Sequence, residues 1–250
     1  MNYDSTPLPE SYHKYRALTS ADVSRWVSLV QEFLPQTASG LSIDLGCGTG
    51  RFTQPVAEQL GLSVIGIDPS LKMLREATRN AKSSRVAYRQ GSAESIPLEV
   101  NSVGSIFMSN AIHHLKSLDD ALREMLRVLQ PDGIVFIRNY SLENLKSLHY
   151  LRFFPEAMQL SREMIWPRRR LLETFTATKF ALLTQGTLQQ EASPDYEAYI
   201  RKIKSRVYSD LTLISDEVFH RGIARMTETC ASLPDRPIIE EVDYFVFQRC

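Results

Sequence analysis

The chain has 250 residues, 43% of them hydrophobic, enough to bury a sizeable core in one large domain or in a domain with an elaborated cap. Lys plus Arg number 29 and Asp plus Glu 29, so the overall field points to neither nucleic acid nor an acidic membrane surface as a partner. Three scattered cysteines, no apolar run near the ~20 residues that span a bilayer, and no signal-peptide pattern at the start lead us to expect a reducing, cytoplasmic setting.

Residues 1–19 carry Pro7 and Pro9 among Tyr3, Tyr12 and Tyr15 and read as a loop that packs on something. Ser20 caps a predicted helix in which Val23, Trp26, Val27, Val30 and Leu34 recur at helical spacing, with Pro35 as its stop. From Leu41 onward strands and helices alternate. Strands are predicted at 41–45, 62–67, 86–89, 103–108 and 134–137, the fourth nearly all apolar, as in a strand buried on both faces. Between them lie helices to about Leu60, from Ser70 to about Asn80, and from Ser117, the last with Leu118, Ala121, Leu122, Met125, Leu126 and Leu129 inward. Pro131-Asp132-Gly133 has the composition of a turn. This alternation means parallel strands joined by right-handed crossovers. Further on, helical stretches at 142–164 and 193–233 flank a helix opened by Pro167 and a strand-like run at 180–190, and a β-like run at 238–247 closes the chain.

The strongest chemical signal is Ile43-Asp44-Leu45-Gly46-Cys47-Gly48-Thr49-Gly50, glycines directly after a strand and opening a helix, where a ligand can touch the backbone. A dinucleotide fingerprint needs a third glycine at position 51, where Arg51 stands, and Asp44 would repel a pyrophosphate. The same carboxylate favours a ligand without phosphate but with an ammonium and a sulfonium, namely S-adenosylmethionine. Asp68 ends the second strand eighteen residues beyond Gly50, in reach of ribose hydroxyls. Met73 has two readings, adenine contact or core.

The glycine run resembles motif I of class I S-adenosylmethionine-dependent methyltransferases, in the subgroup of the ubiquinone and menaquinone methyltransferases. The resemblance continues through Gln90-Gly91-Ser92-Ala93-Glu94-Ser95-Ile96-Pro97-Leu98, then residues 105–115 and 121–133, covering about residues 40 to 140. It implies an α/β fold, a Rossmann-like seven-stranded, mostly parallel sheet with helical cap insertions. It implies one methyltransferase domain over 1–250, with an N-terminal lid segment at 1–19, a cofactor-binding core at 40–140, and caps at 141–166 and 192–235. By position, Asp44, Gly46, Gly48 and Gly50 would surround the methionine part of the cofactor, and Asp68 would bind the ribose. Ser92, Ala93 and Glu94 would lie along the adenine, with Asn110 facing the amino-acid part. Many relatives carry Asp where this chain has Ser92, whose hydroxyl can still accept a hydrogen bond.

The implied activity is methyl transfer from S-adenosylmethionine, leaving S-adenosylhomocysteine, to a small organic acceptor. His113 and His114, just past the fourth strand, are the candidate proton acceptors near neutral pH, unless one packs under the sheet and the other caps the next helix. Tyr12, Tyr15 and Arg16 either close over the cofactor or pack as ordinary loop residues. Phe153, Phe154, Met158, Met164, Ile165 and Trp166 either line an apolar acceptor pocket or form the cap's own core. Two basic runs, Arg168-Arg169-Arg170 and the stretch 199–206, leave tRNA or protein methylation as alternatives if they meet on one face beside the pocket. A sealed acceptor pocket would instead mark a non-catalytic, cofactor-binding partner subunit. No metal site is expected.

Overall fold

The computed structural model describes residues 15–16, 18–34 and 40–250, so most of the expected lid segment, Tyr12 included, lies outside the described residues, as does Pro35. The first helix, α1 (Ser20–Phe33), is capped by the Thr19 hydroxyl, one residue earlier than expected. There follow β1 (Leu41–Leu45), α2 (Thr53–Leu60), β2 (Ser63–Asp68), α3 (Leu71–Asn80), β3 (Val86–Gln90), β4 (Val103–Ser109), α4 (Leu118–Val128) and β5 (Leu129–Asn139). The second half holds α5 (Pro155–Met164), α6 (Arg168–Thr176), β6 (Phe180–Ser193), α7 (Tyr196–Lys204), α8 (Asp216–Cys230) and β7 (Ile238–Arg249).

The described strands form a seven-stranded sheet in the order β3-β2-β1-β4-β5-β7-β6. Strands β1 to β5 run parallel, and β7 pairs antiparallel with β5 on one side and β6 on the other. Strand order reverses between β1 and β4, so a crevice opens at their carboxyl ends, the usual ligand position in such a sheet. Alternate residues of the central strands feed two cores. Phe107 and Phe136 pack with Trp26, Val30 and Phe52 on one face. Ile43, Ile106 and Val135 pack with Leu122, Met125 and Phe175 on the other.

One expectation is corrected in β5. Pro131-Asp132-Gly133 does not separate helix from strand as a free turn. Leu129 already pairs with Val103, and pairing resumes at Ile134 with Ser105, so the three residues form an irregularity inside one strand. Asp132 takes up its left-handed backbone, φ 60°. Leu129 accordingly belongs to the sheet, although it is buried as expected.

The two helical insertions meet over the carboxyl edge. Phe154, at the start of α5, stacks on Phe219 of α8 with ring centroids 5.8 Å apart and sits 6.4 Å from Tyr150. Among the described residues no helix is long and apolar enough to cross a membrane, and no group of three or more potential metal ligands occurs.

Candidate functional site

After β1 the chain turns through Gly46, Gly48 and Gly50, all at positive φ (72°, 54° and 75°). The amides of Gly46 and Cys47 bond the Ile67 carbonyl at 2.8 and 3.1 Å, tying the loop to β2. Asp68 completes the tie, its Oδ2 accepting from the Gly48 amide and its Oδ1 from the Ser70 amide, both at 2.9 Å. A side chain at Gly48 would meet nothing within 4 Å, so its backbone faces open space.

That space is a cavity of about 560 Å³, within the range that takes a cofactor-sized ligand. Asp44, Gly46, Gly48, Asp68, Met73, Ser92, Ala93, Glu94, Asn110 and His114 all line it. Gly50 is not among the lining residues: an added Cβ there would stand 2.2 Å from the Tyr88 hydroxyl oxygen, and its φ of 75° itself favours glycine. Met73 is 2% exposed, a core residue that also forms part of the wall.

Burial pushes the Asp44 carboxyl up to about 7, against the Thr53 hydroxyl that donates to its Oδ2 at 2.6 Å and the nearby Arg51 guanidinium, with Asp68 adding to the rise. Glu94 is held in the opposite direction: burial raises it, but the Lys116 and Ser117 amides bond its Oε1 and bring it below the usual carboxylate range. Asn110 has a left-handed backbone, φ 51°, and donates its amide to the Arg138 carbonyl at 2.7 Å. Its side-chain Nδ2 and Oδ1 are both buried with no hydrogen-bond partner among the described residues, a condition that folded proteins seldom leave unused.

A second, smaller chamber of about 60 Å³ adjoins the first and shares Asn110 and His114 with it. The cap and the sheet edge enclose it with Arg16, His113, Tyr140, Tyr150, Met164, Ile165, Tyr208 and Asp210. The phenols are fixed by buried carboxylates: Tyr140 and Tyr208 donate to Glu240 at 2.6 and 3.0 Å, and Tyr150 donates to Asp210 at 2.8 Å. The rings of His113 and His114 lie 4.0 Å apart. Burial lowers His113 to about 4 and His114 to about 3, so both are neutral at pH 7.

Of the six apolar cap residues considered for the chamber, Met164 and Ile165 line it. Phe153 and Phe154 are buried in the core that runs from one sheet face into the cap, and Met158 packs against it. Trp166 lies under the Arg170 guanidinium. Several residues of the basic runs are held within the fold, while Arg169 stays largely exposed. Arg168 pairs with Asp243 of β7 at 2.7 Å, Lys202 is buried with its Nζ on the Ala192 carbonyl, and Arg206 lies over Phe219 and pairs with Asp216. Arg16 lies over the Tyr208 ring, 4.4 Å from its centroid, and its carbonyl accepts from Arg51.

Arg138, a fully buried cation bonded to Ser109 Oγ and Gln190 Oε1, was not singled out from the sequence. A charge at the end of the apolar run 134–137 was the available signal. The carboxylates Asp210 and Glu240 gave none, because their phenol partners lie 32 to 100 residues away.

Comparison with known proteins agrees with this geometry. Residues 43–137 match a family model described as a methyltransferase domain. A demethylmenaquinone methyltransferase of Renibacterium salmoninarum is 29% identical over 124 residues, 50% of this chain and 51% of that protein. A ubiquinone biosynthesis O-methyltransferase of Rhizobium etli is 30% identical over 106 residues, 41% of this chain and 42% of that protein. The chain thus spans about half the length of the curated relatives it matches, or less. A solved structure described as a methyltransferase from an antibiotic biosynthesis pathway of Anabaena variabilis superposes with TM-score 0.74 at 20% identity, over 89% of this chain and 96% of that one, which establishes the shared fold.

Proposed function

We propose that this chain, whose residues 43–137 match a methyltransferase-domain model, moves a methyl group from S-adenosylmethionine to a small organic acceptor. The observation that carries the reading is a pair of adjoining cavities at the carboxyl edge of the sheet, meeting at Asn110 and His114, with the Asn110 amide buried and unpartnered between them. The larger cavity suits the cofactor in chemistry as well as size. It has carboxylates for an ammonium and for ribose hydroxyls, an open glycine backbone, and an acidic floor that disfavours phosphate.

When bound, the cofactor supplies a methyl group on a sulfonium, already a good leaving group. The protein's part is therefore to align the acceptor and exclude water. In this reading Asp44 receives the ammonium, Asp68 the ribose, and Ser92, Ala93 and Glu94 flank the adenine. Asn110, bonding in both directions, orients groups on either side of the junction. The neutral imidazoles of His113 and His114 accept a hydrogen bond from the acceptor's O–H or N–H. As weak bases they take its proton after the methyl group has arrived, when the methylated atom has become acidic.

Calorimetric titration with S-adenosylmethionine and S-adenosylhomocysteine tests the cofactor assignment. Wild type should bind both, and Asp68→Ala should bind about tenfold more weakly or worse, with a melting curve showing that the fold survives. Absence of binding by the wild type overturns the reading.

A further inference from the structure

We propose that Thr53, backed by Tyr88, is a positioning residue for the cofactor, holding the Asp44 carboxyl group so that its free oxygen meets the cofactor's ammonium. The inference rests on the function proposed above and deepens it. Thr53 opens α2, is fully buried, and donates its one hydroxyl proton to Asp44 Oδ2 at 2.6 Å. That bond engages Oδ2 and leaves Oδ1 for the cavity that Asp44 lines. A valine of the same shape would leave the carboxyl group without this anchor.

Tyr88 reaches the same point from β3. Its ring lies across Gly66 of β2, where an added Cβ would stand 2.6 Å from two ring carbons, and its hydroxyl lies over Gly50, where the separation would be 2.2 Å. A glycine in the middle of a buried strand weakens it. Here it admits the ring, and Gly50 admits the hydroxyl. The phenol then ends beside Thr53. Two glycines, a phenol and a threonine are thus arranged around one carboxyl group, and none of the four touches the larger cavity.

The groups facing Asp44 are few. Arg51 of the loop attracts it, Asp68 at the end of β2 repels it, and burial keeps the Cys47 thiol and the Tyr88 phenol neutral. The Thr53 bond is the largest effect opposing burial. Ligand-free Asp44 is therefore partly protonated near pH 7, and an arriving ammonium drives its proton into solvent. Affinity for the cofactor rises as pH rises through that region.

The test is calorimetric titration of S-adenosylhomocysteine from pH 5.5 to 9 on wild type, Thr53→Val, Thr53→Ser and Tyr88→Phe, with a melting temperature for each. Thr53→Val should weaken binding about tenfold at pH 6.5, converge towards wild type at high pH, and move the midpoint of the pH profile upward. Thr53→Ser should restore the profile, and Tyr88→Phe should fall between. A Thr53→Val profile that tracks a binding wild type, or a serine that rescues nothing, overturns this inference alone. A wild type that binds at no pH overturns the functional reading and this inference with it.

Discussion

Asn110 combines a left-handed backbone with a buried side-chain amide that bonds nothing among the described residues, and each of these is costly unless something uses it. The two can be separated. Asn110→Gly should keep the fold, since glycine adopts that φ freely, and lose about tenfold or more in affinity for S-adenosylhomocysteine. Asn110→Ala should lose the same affinity and also about 1 kcal/mol of stability from the forced left-handed backbone, read by urea denaturation. Residues such as Asp44, Gly48, Asp68 and Asn110 were legible in the sequence because their placement follows from one strand end. The surroundings of Gly50, Thr53, Tyr88 and Arg138 are not legible there, because what each touches is set by strands brought together only in the folded sheet.

At the scale of elements, Glu94 joins the loop after β3 to the entry of α4 by accepting from the Lys116 and Ser117 amides at 2.7 and 3.4 Å. Glu94→Ala should therefore destabilise the protein by about 1–2 kcal/mol at neutral pH, besides opening one wall of the cavity. The folded carboxyl group titrates below its unfolded value, so this stabilisation is present above the ordinary carboxylate range and lost as pH falls through the lowered value. Denaturation midpoints of wild type and variant should accordingly converge in acid. The βαβ alternation was readable because a buried strand and an amphipathic helix leave distinct periodicities. The Pro131–Gly133 stretch was read as a free turn because its residues suit a turn and a bulge equally, and only the pairing of Leu129 with Val103 decides between them.

For the molecule as a whole, the cap is what distinguishes this chain from its bare sheet. The smaller chamber draws on residues from Arg16 to Asp210, with Glu240 behind it, a spread that no local pattern in the sequence reveals. Burying two neutral histidines there has a global consequence. His113 and His114 titrate below 6.5 in the folded state, so as pH falls the unfolded chain binds their protons first. Stability is whole above about 6.5 and is lost as pH falls towards 4 and 3. Asp44 works in the other direction, binding its proton near 7 when folded and near 3.8 when unfolded. His113→Gln should therefore lose less stability than wild type between pH 7.5 and 5, as guanidinium midpoints at the two pH values would show.

The arrangement of the two cavities is the central claim, and a crystal structure with S-adenosylhomocysteine tests it most directly. The ligand's ammonium should lie at Asp44, its ribose hydroxyls at Asp68, its adenine along Ser92 to Glu94, and its sulfur should turn towards Asn110 and His114 at the mouth of the smaller chamber. A ligand lying elsewhere, or with its sulfur turned away from that junction, would contradict it.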